Sequence, residues 1–388
     1  MVDVQPPPFD TADPLLVDRM LGRDEKAVRE TVRRFCEDSI QPRLAEWLRQ
    51  RRIDGPHDLA KEMGALGVLG MDLDGHAGGG LGAVDAGVAC MELESCDAAI
   101  RSFAVHTFLP MFAIARFGDD EQQRQWLPAL AAGEVIGSLA GNEPGGLETD
   151  RLTTSAVRDG SDWVLNGRKT AIIHGAHADI SVVWATTGER VQAFLVPVDA
   201  PGFRSWSSKR TATLRDSLRG EIELTDVRVP ADAVLPRSED ATARLATLLE
   251  LRYATIWGAL GAARASFDHA LAYSRAAAAG SQSGGDEQAP LVDMALELSK
   301  GLLLAVHLGQ LKAAGLIRPT DLRLGKISNA TAAIQVCETA KRLLPRESDG
   351  YEVVVRHLGN LRSMRTSEYA TQLDVLAMAD ALTGREAP

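Results

Sequence analysis

The stretch LNGRKTAIIHGAHADISVVWA, residues 165–185, sets two apolar runs on either side of a short break, His174-Gly175-Ala176-His177. A strand, a turn and a second strand explain that pattern. The segments around it repeat the habit: TTSAVRDGSDWVLNG before it, RVQAFLVPV and RGEIELTDVRVP after it. Asp-Gly and Asn-Gly pairs are expected to mark tight turns between the strands. The β character runs through residues 135–238.

On both sides of this region the periodicity becomes helical. Helical spacing covers Asp24 to Gln50, where Pro42 is expected to break or kink the run. It continues over His57 to Leu66, Ala83 to Cys96, Ser102 to Phe117 and Asp120 to Ala132. After the β region, long patterns cover Ala241 to Ala279, Leu291 to Ala314 and Thr320 to Leu344, with shorter ones from Tyr351 to Arg362 and Tyr369 to Thr383. The expected architecture is α+β and multidomain: a helical domain over 1–134, a β domain over 135–238 and a helical bundle over 239–388. A βαβ alternation is absent, which argues against a doubly wound nucleotide fold. The glycine-rich segment Asp72 to Gly82 follows a helix instead of a strand, so it reads as a plain loop and not as a phosphate cradle.

The chain has 388 residues, 45% of them hydrophobic and 24% charged, with a net charge of −11. That acidic balance and the lack of a basic stripe argue against a nucleic-acid partner. No run of about 18 apolar residues is found, so no membrane span is expected. The first residues carry no basic and apolar leader, and the expected location is cytoplasmic. Cys36, Cys90, Cys96 and Cys337 form no C-x-x-C pair and read as reduced, buried side chains. His174 and His177 lack a third ligand at sensible spacing, so no metal site is expected.

Two charged residues stand out. Arg101, in DAAIRSF, is either the partner of a carboxylate such as Glu94 or a clamp for a ligand carboxylate. Glu368, in MRTSEYATQ, is either a helix cap or, if it faces a closed apolar pocket, a base that removes a proton from carbon. Glu143, before Pro144, reads as a loop residue.

Several stretches, in order and spacing, resemble the acyl-CoA dehydrogenases, and within them glutaryl-CoA dehydrogenase most closely. They include RDEKAVRETVRRFCEDSIQPRL, FGDDEQQRQWLPALAAGEVIGS, NEPGG, WVLNGRKTAII, DVRVPADAVLP and LRYATIWGALGA. The resemblance implies a helical domain, a β-barrel-like domain and a C-terminal four-helix bundle, assembled as a tetramer or dimer. It implies FAD as cofactor, an acyl-CoA or acyl-carrier-protein thioester as substrate, and α,β-desaturation as the reaction. Glu368 falls on the family's base. Arg101 falls on the arginine that binds a distal carboxylate, with Glu94 beside it. Ser102 and Arg252 are carried over with them as substrate-binding residues, which suits a dicarboxylic or polar acyl chain.

The flavin side departs from the family. Asn142 stands for a threonine, and Thr149 follows an apparent one-residue insertion in N-E-P-G-G-L-E-T-D. Ala171-Ile172-Ile173 replaces the W-I-T whose tryptophan packs on the flavin and whose threonine hydroxyl bonds to it. Ala277 to Gly280 and Leu344 to Glu347 replace two further segments that reach the FAD of a neighbouring subunit. These departures open a second reading: a flavin-deficient member, acting either as a subunit beside an intact related chain or as a flavin-free enzyme of α-proton chemistry.

Overall fold

A computed structural model of the chain describes residues 13–73, 80–144, 152–208, 218–239, 241–280, 289–367 and 371–384. The N-terminal part holds α1 (Arg23–Phe35), α2 (Gln41–Gln50), α3 (Pro56–Ala65), α4 (Ala83–Cys96), α5 (Ala98–Phe117) and α6 (Asp120–Ala131). Pro42 does not break the first helical run. It sits in the first turn of α2, where a missing N–H is tolerated, and the chain enters it through a π-helical turn at Cys36–Ile40. α5 is long and apolar enough to cross a membrane by composition, but 78% of its apolar window is buried inside the protein. It is a core helix.

Seven strands follow: β1 (Gly137–Ala140), β2 (Ser155–Asp159), β3 (Asp162–Ile173), β4 (Ile180–Thr187), β5 (Arg190–Pro197), β6 (Phe203–Ser207) and β7 (Arg219–Val229). They form one sheet in the order β1-β4-β2-β3-β7-β6, with β5 paired to β4. β3 and β4, the two runs of the 165–185 stretch, are therefore not hydrogen-bonded to each other; β2 lies between them. β4 is buried on both faces. Ile180, Val182 and Trp184 pack with α5 and α6, while Val183 and Ala185 face the interior of the sheet. This explains why ISVVWA reads as a continuous apolar run instead of an alternation.

The Asp159-Gly160 pair makes the expected β2–β3 turn, with Gly160 at φ 64°. Asn166-Gly167 does not. It lies inside β3, where the pairing with β7 shifts register between Leu165 and Gly167. A Cβ on Gly167 would meet Thr154 Oγ1 at 2.5 Å, so glycine serves a close approach within a bulge.

The remaining helices are α7 (Ala241–Gly280), α8 (Ala289–Ala313), α9 (Pro319–Leu343), α10 (Asp349–Ser367) and α11 (Thr371–Thr383). α7 packs against α4 and α5 as well as α8, α9 and α10, and so joins the bundle to the N-terminal helices.

One buried ion pair fastens the β region. Lys169 on β3 and Glu143 after β1 are 0% and 2% exposed and lie 2.8 Å apart. Lys169 also donates to the Trp184 carbonyl at 2.6 Å, and Glu143 accepts from Thr153 N, Thr153 Oγ1 and Thr154 N. Burial raises the Glu143 carboxyl, but the hydrogen bonds from Lys169 and Thr153 outweigh it and hold the group at about 2, against an ordinary 4.5. The reading of Glu143 as a loop residue holds, with a clamping role.

Lys169→Met leaves that carboxylate buried without its cation and is expected to cost about 3–5 kcal/mol in denaturant unfolding. The double variant Lys169→Met/Glu143→Leu should recover much of the loss. Because the Glu143 carboxyl is depressed, its contribution is fully present above pH 4.5 and is lost as the pH falls through about 2. A wild-type-like midpoint for Lys169→Met would refute the clamp.

Candidate functional site

The turn that ends β3 is strained. Ala171 and His174 have φ of 55° and 63°, the left-handed region that costs a residue with a Cβ about 1–2 kcal/mol. Such outliers concentrate at functional sites. Ala171 is exposed, whereas Ile173 and His174 are buried at 7% and 0% exposure. His174 packs edge-on against Phe103, its Nε2 lies 3.1 Å from the Phe103 carbonyl, and burial pushes its pKa down to about 3. It is a neutral ring that pins the turn to α5. Among the described residues no group of three His, Cys, Asp or Glu side chains forms a metal site.

Above the turn lies a cavity of about 70 Å³, between β3, the end of β1, α5 and α7. Its lining includes Asn142, Ala171, Ile173, His106, Leu248 and Leu251. Asn142 Nδ2 donates to the Thr170 carbonyl at 2.9 Å, which fixes the orientation of the amide. Asn142 Oδ1 is then a buried acceptor with no donor among the described residues. A ligand that brings an N–H or O–H satisfies it.

One helical turn from His106 sits the second feature. Asp97 caps α5 by accepting from Ala99 N at 2.8 Å, and Arg356 donates to Asp97 at 2.7 Å. The cap places Arg101 in the first turn of α5 at 1% exposure, with Ser102 also buried. The Arg101 guanidinium donates from Nε to Glu94, itself 0% exposed, and from Nη2 to Met364 Sδ at 3.0 Å. Gly258 on α7 makes the room: a Cβ there would meet Arg101 Cδ and Nε at 2.6 Å.

Arg101, Ser102 and Glu94 do not line the cavity, and Arg252 lies elsewhere again. Arg252 pairs with Asp374 at 3.1 Å, as does Lys326 at 2.9 Å, joining α7, α9 and α11. Thr149 and Glu368 lie outside the described residues. Sequence reasoning missed Lys169, which an alternating strand pattern assigns to solvent, and His106, a lone histidine on an apolar helix.

The fold and the site meet known proteins here. The acyl-CoA dehydrogenase N-terminal domain matches residues 22–134, the middle domain 139–227 and the C-terminal domain 242–371. The chain belongs to the acyl-CoA dehydrogenase family. It is similar to a glutaryl-CoA dehydrogenase from Mycobacterium smegmatis, solved in complex with FADH2, with 40% identity, a TM-score of 0.91 and coverage of 97% of this chain and 99% of that one. Among curated relatives, isovaleryl-CoA dehydrogenase of Pongo abelii is 30% identical over 65% of this chain, and acyl-CoA dehydrogenase FadE12 of Mycobacterium tuberculosis is 35% identical over 50%. The matches span 62% and 52% of those relatives' own lengths.

The wall of the cavity fits the edge of a flavin in two respects: an orphaned acceptor at Asn142 for an N–H or ribityl hydroxyl, and an uncovered backbone at Ala171. Its volume is far below the ~300 Å³ at which small-molecule pockets begin, so as it stands it admits the edge of a ring and not the whole of one.

Gly258→Ala is expected to drive the Arg101 guanidinium off Glu94 and destabilise the protein by about 1–3 kcal/mol, the usual cost of overpacking. An unchanged thermal midpoint would show that α7 yields at this point.

Proposed function

We propose that the chain oxidises an acyl thioester, carried on CoA or on an acyl carrier protein, at its α and β carbons, with FAD as acceptor and Glu368 as the base that takes the α-proton. The observation that carries this reading is the cavity between the strained β3 turn and α5, with Arg101, buried against Glu94 of α4, five residues before His106 on α5. Bound FAD supplies the acceptor for the β-hydride. Asn142 Oδ1 would hold a donor on the flavin, and Ala171 leaves the backbone open beside it.

Arg101 and Ser102 suit a dicarboxylic or polar acyl chain. Glu94 takes the Nε edge of the guanidinium, and a thioether sulfur, a weak acceptor, takes another N–H. A substrate carboxylate is a far better acceptor than that sulfur and would displace it. The assembly that fits the family is a homo-oligomer.

Two experiments test the reading. Flavin-loaded protein should bleach with glutaryl-CoA, and Glu368→Gln should lose both the bleaching and the exchange of α-protons with solvent by at least about a hundredfold. Bound flavin that bleaches with no acyl thioester would sink the dehydrogenase assignment. Separately, Ile173→Thr restores a hydroxyl at the turn and should tighten FAD by about fivefold, the worth of one hydrogen bond of ~1 kcal/mol, in a flavin-fluorescence titration. Unchanged affinity would mean that the turn does not face the flavin.

A second reading has one observation in its favour: the turn 171–173 offers neither an aromatic ring nor a hydroxyl. In that reading Glu368 performs α-proton chemistry without flavin, or the chain pairs with an intact relative. Solvent deuterium entering the α-position of an acyl thioester in flavin-free protein would favour the first of these forms.

A further inference from the structure

His106 lies in the third turn of α5 and lines the cavity. Its Nδ1 is 2.8 Å from the Ser102 carbonyl oxygen. A carbonyl has no hydrogen to give, so Nδ1 carries the ring proton and Nε2 keeps its lone pair. Ser102 Oγ stands 3.2 Å from the same Nδ1. Both contacts involve Nδ1, and no described residue hydrogen-bonds Nε2. The imidazole is thus a fixed acceptor, oriented by its own helix.

Its charge state is equally fixed. Burial, together with the Arg101 and Arg219 charges, holds the ring's pKa at about 4, so it is neutral throughout the physiological range. So weak a base makes a poor proton acceptor for carbon acids, but its lone pair accepts hydrogen bonds at every working pH.

The rest of the cavity sharpens the point. Asn142 Oδ1 is a second acceptor with no donor among the described residues. Arg244 on α7 is the one charged lining residue, and Leu109, Leu139, Ile173, Leu248 and Leu251 supply apolar surface. An all-alkyl acyl chain against His106 would leave a dry, unpaired acceptor, which costs affinity.

We infer that His106 is a specificity-determining residue, and that the site takes an acyl thioester bearing a hydroxyl on the first carbons of its chain, with that hydroxyl donating to His106 Nε2. This rests on the reading of the cavity as an acyl-thioester site. It reads the hydroxyl as a donor, which Arg101 cannot do, because a guanidinium donates and never accepts.

The test is calorimetric binding to the full-length protein of three probes: butyryl-CoA, 2-hydroxybutyryl-CoA and 3-hydroxybutyryl-CoA. The wild type should bind one hydroxyacyl ester at least about tenfold more tightly than butyryl-CoA. His106→Leu should erase that difference. His106→Gln, whose amide oxygen can accept, should keep part of it and guards against a folding defect in the leucine variant. Equal binding of all three probes by the wild type overturns the inference and leaves the acyl-thioester reading standing. So does a preference that survives in His106→Leu. Failure of all three probes to bind overturns the inference, and failure of glutaryl-CoA as well removes the acyl-thioester reading with it.

Discussion

The pairing of Arg101 with Glu94 is the constraint around which this molecule is arranged. Both side chains are essentially out of water, at 1% and 0% exposure. A charge in that setting is tolerated only when it is paired and its geometry held. Four helices supply the geometry. α4 carries Glu94, α5 carries Arg101 behind the Asp97 cap, α10 brings Met364, and α7 approaches closely enough at Gly258 that no side chain fits. A second glycine on α7, Gly261, repeats the close approach one turn on, where a Cβ would meet the Met91 carbonyl at 2.1 Å. The pair therefore sets the rotation of α5. That rotation turns His106 and Leu109 towards β3.

A second buried pair, Lys169 with Glu143, holds the opposite wall. It binds the segment after β1 to β3 and, through the Trp184 carbonyl, to β4. The strained turn at Ala171 to His174 then has firm supports on both sides: β3 clamped behind it and His174 packed on Phe103 in front. Strain of this kind persists only where the surroundings over-determine it. The cavity lies between the two clamps.

The sequence made the helices and their order legible because their apolar faces recur at helical spacing; α4 begins and ends where that spacing says, at Ala83 and Cys96. Local chemistry misled where tertiary contacts overrode it. Asn166-Gly167 has the composition of a hairpin turn but answers to Thr154 across the sheet. Pro42 has the look of a break, but a helix widened to a π turn absorbs it. Lys169 was illegible because its carboxylate partner stands 26 residues away and only folding brings them together. Arg101 with Glu94 was legible as one of two alternatives, since seven residues across a helix junction do not decide who meets whom. His106 carried no motif at all; its role comes from a cavity that exists only in three dimensions.

A fold shared at a TM-score of 0.91 with a 40% identical glutaryl-CoA dehydrogenase does not by itself assign a substrate. The two walls of the cavity differ in what they can recognise. The β3 wall contributes an exposed alanine, buried isoleucines and backbone, with one amide oxygen at Asn142. Groups of that kind hold a ligand by shape and by a single hydrogen bond. On α5 a neutral imidazole, His106, lines the cavity, and the Arg101 guanidinium and Ser102 lie buried five and four residues earlier on the same helix, outside that lining. Such groups would distinguish a carboxylate from a hydroxyl and a hydroxyl from an alkyl chain, because each offers a different set of donors and lone pairs. On the proposed reading, chemical selectivity resides on α5, and its precision depends on the buried ion pair that fixes how that helix is turned.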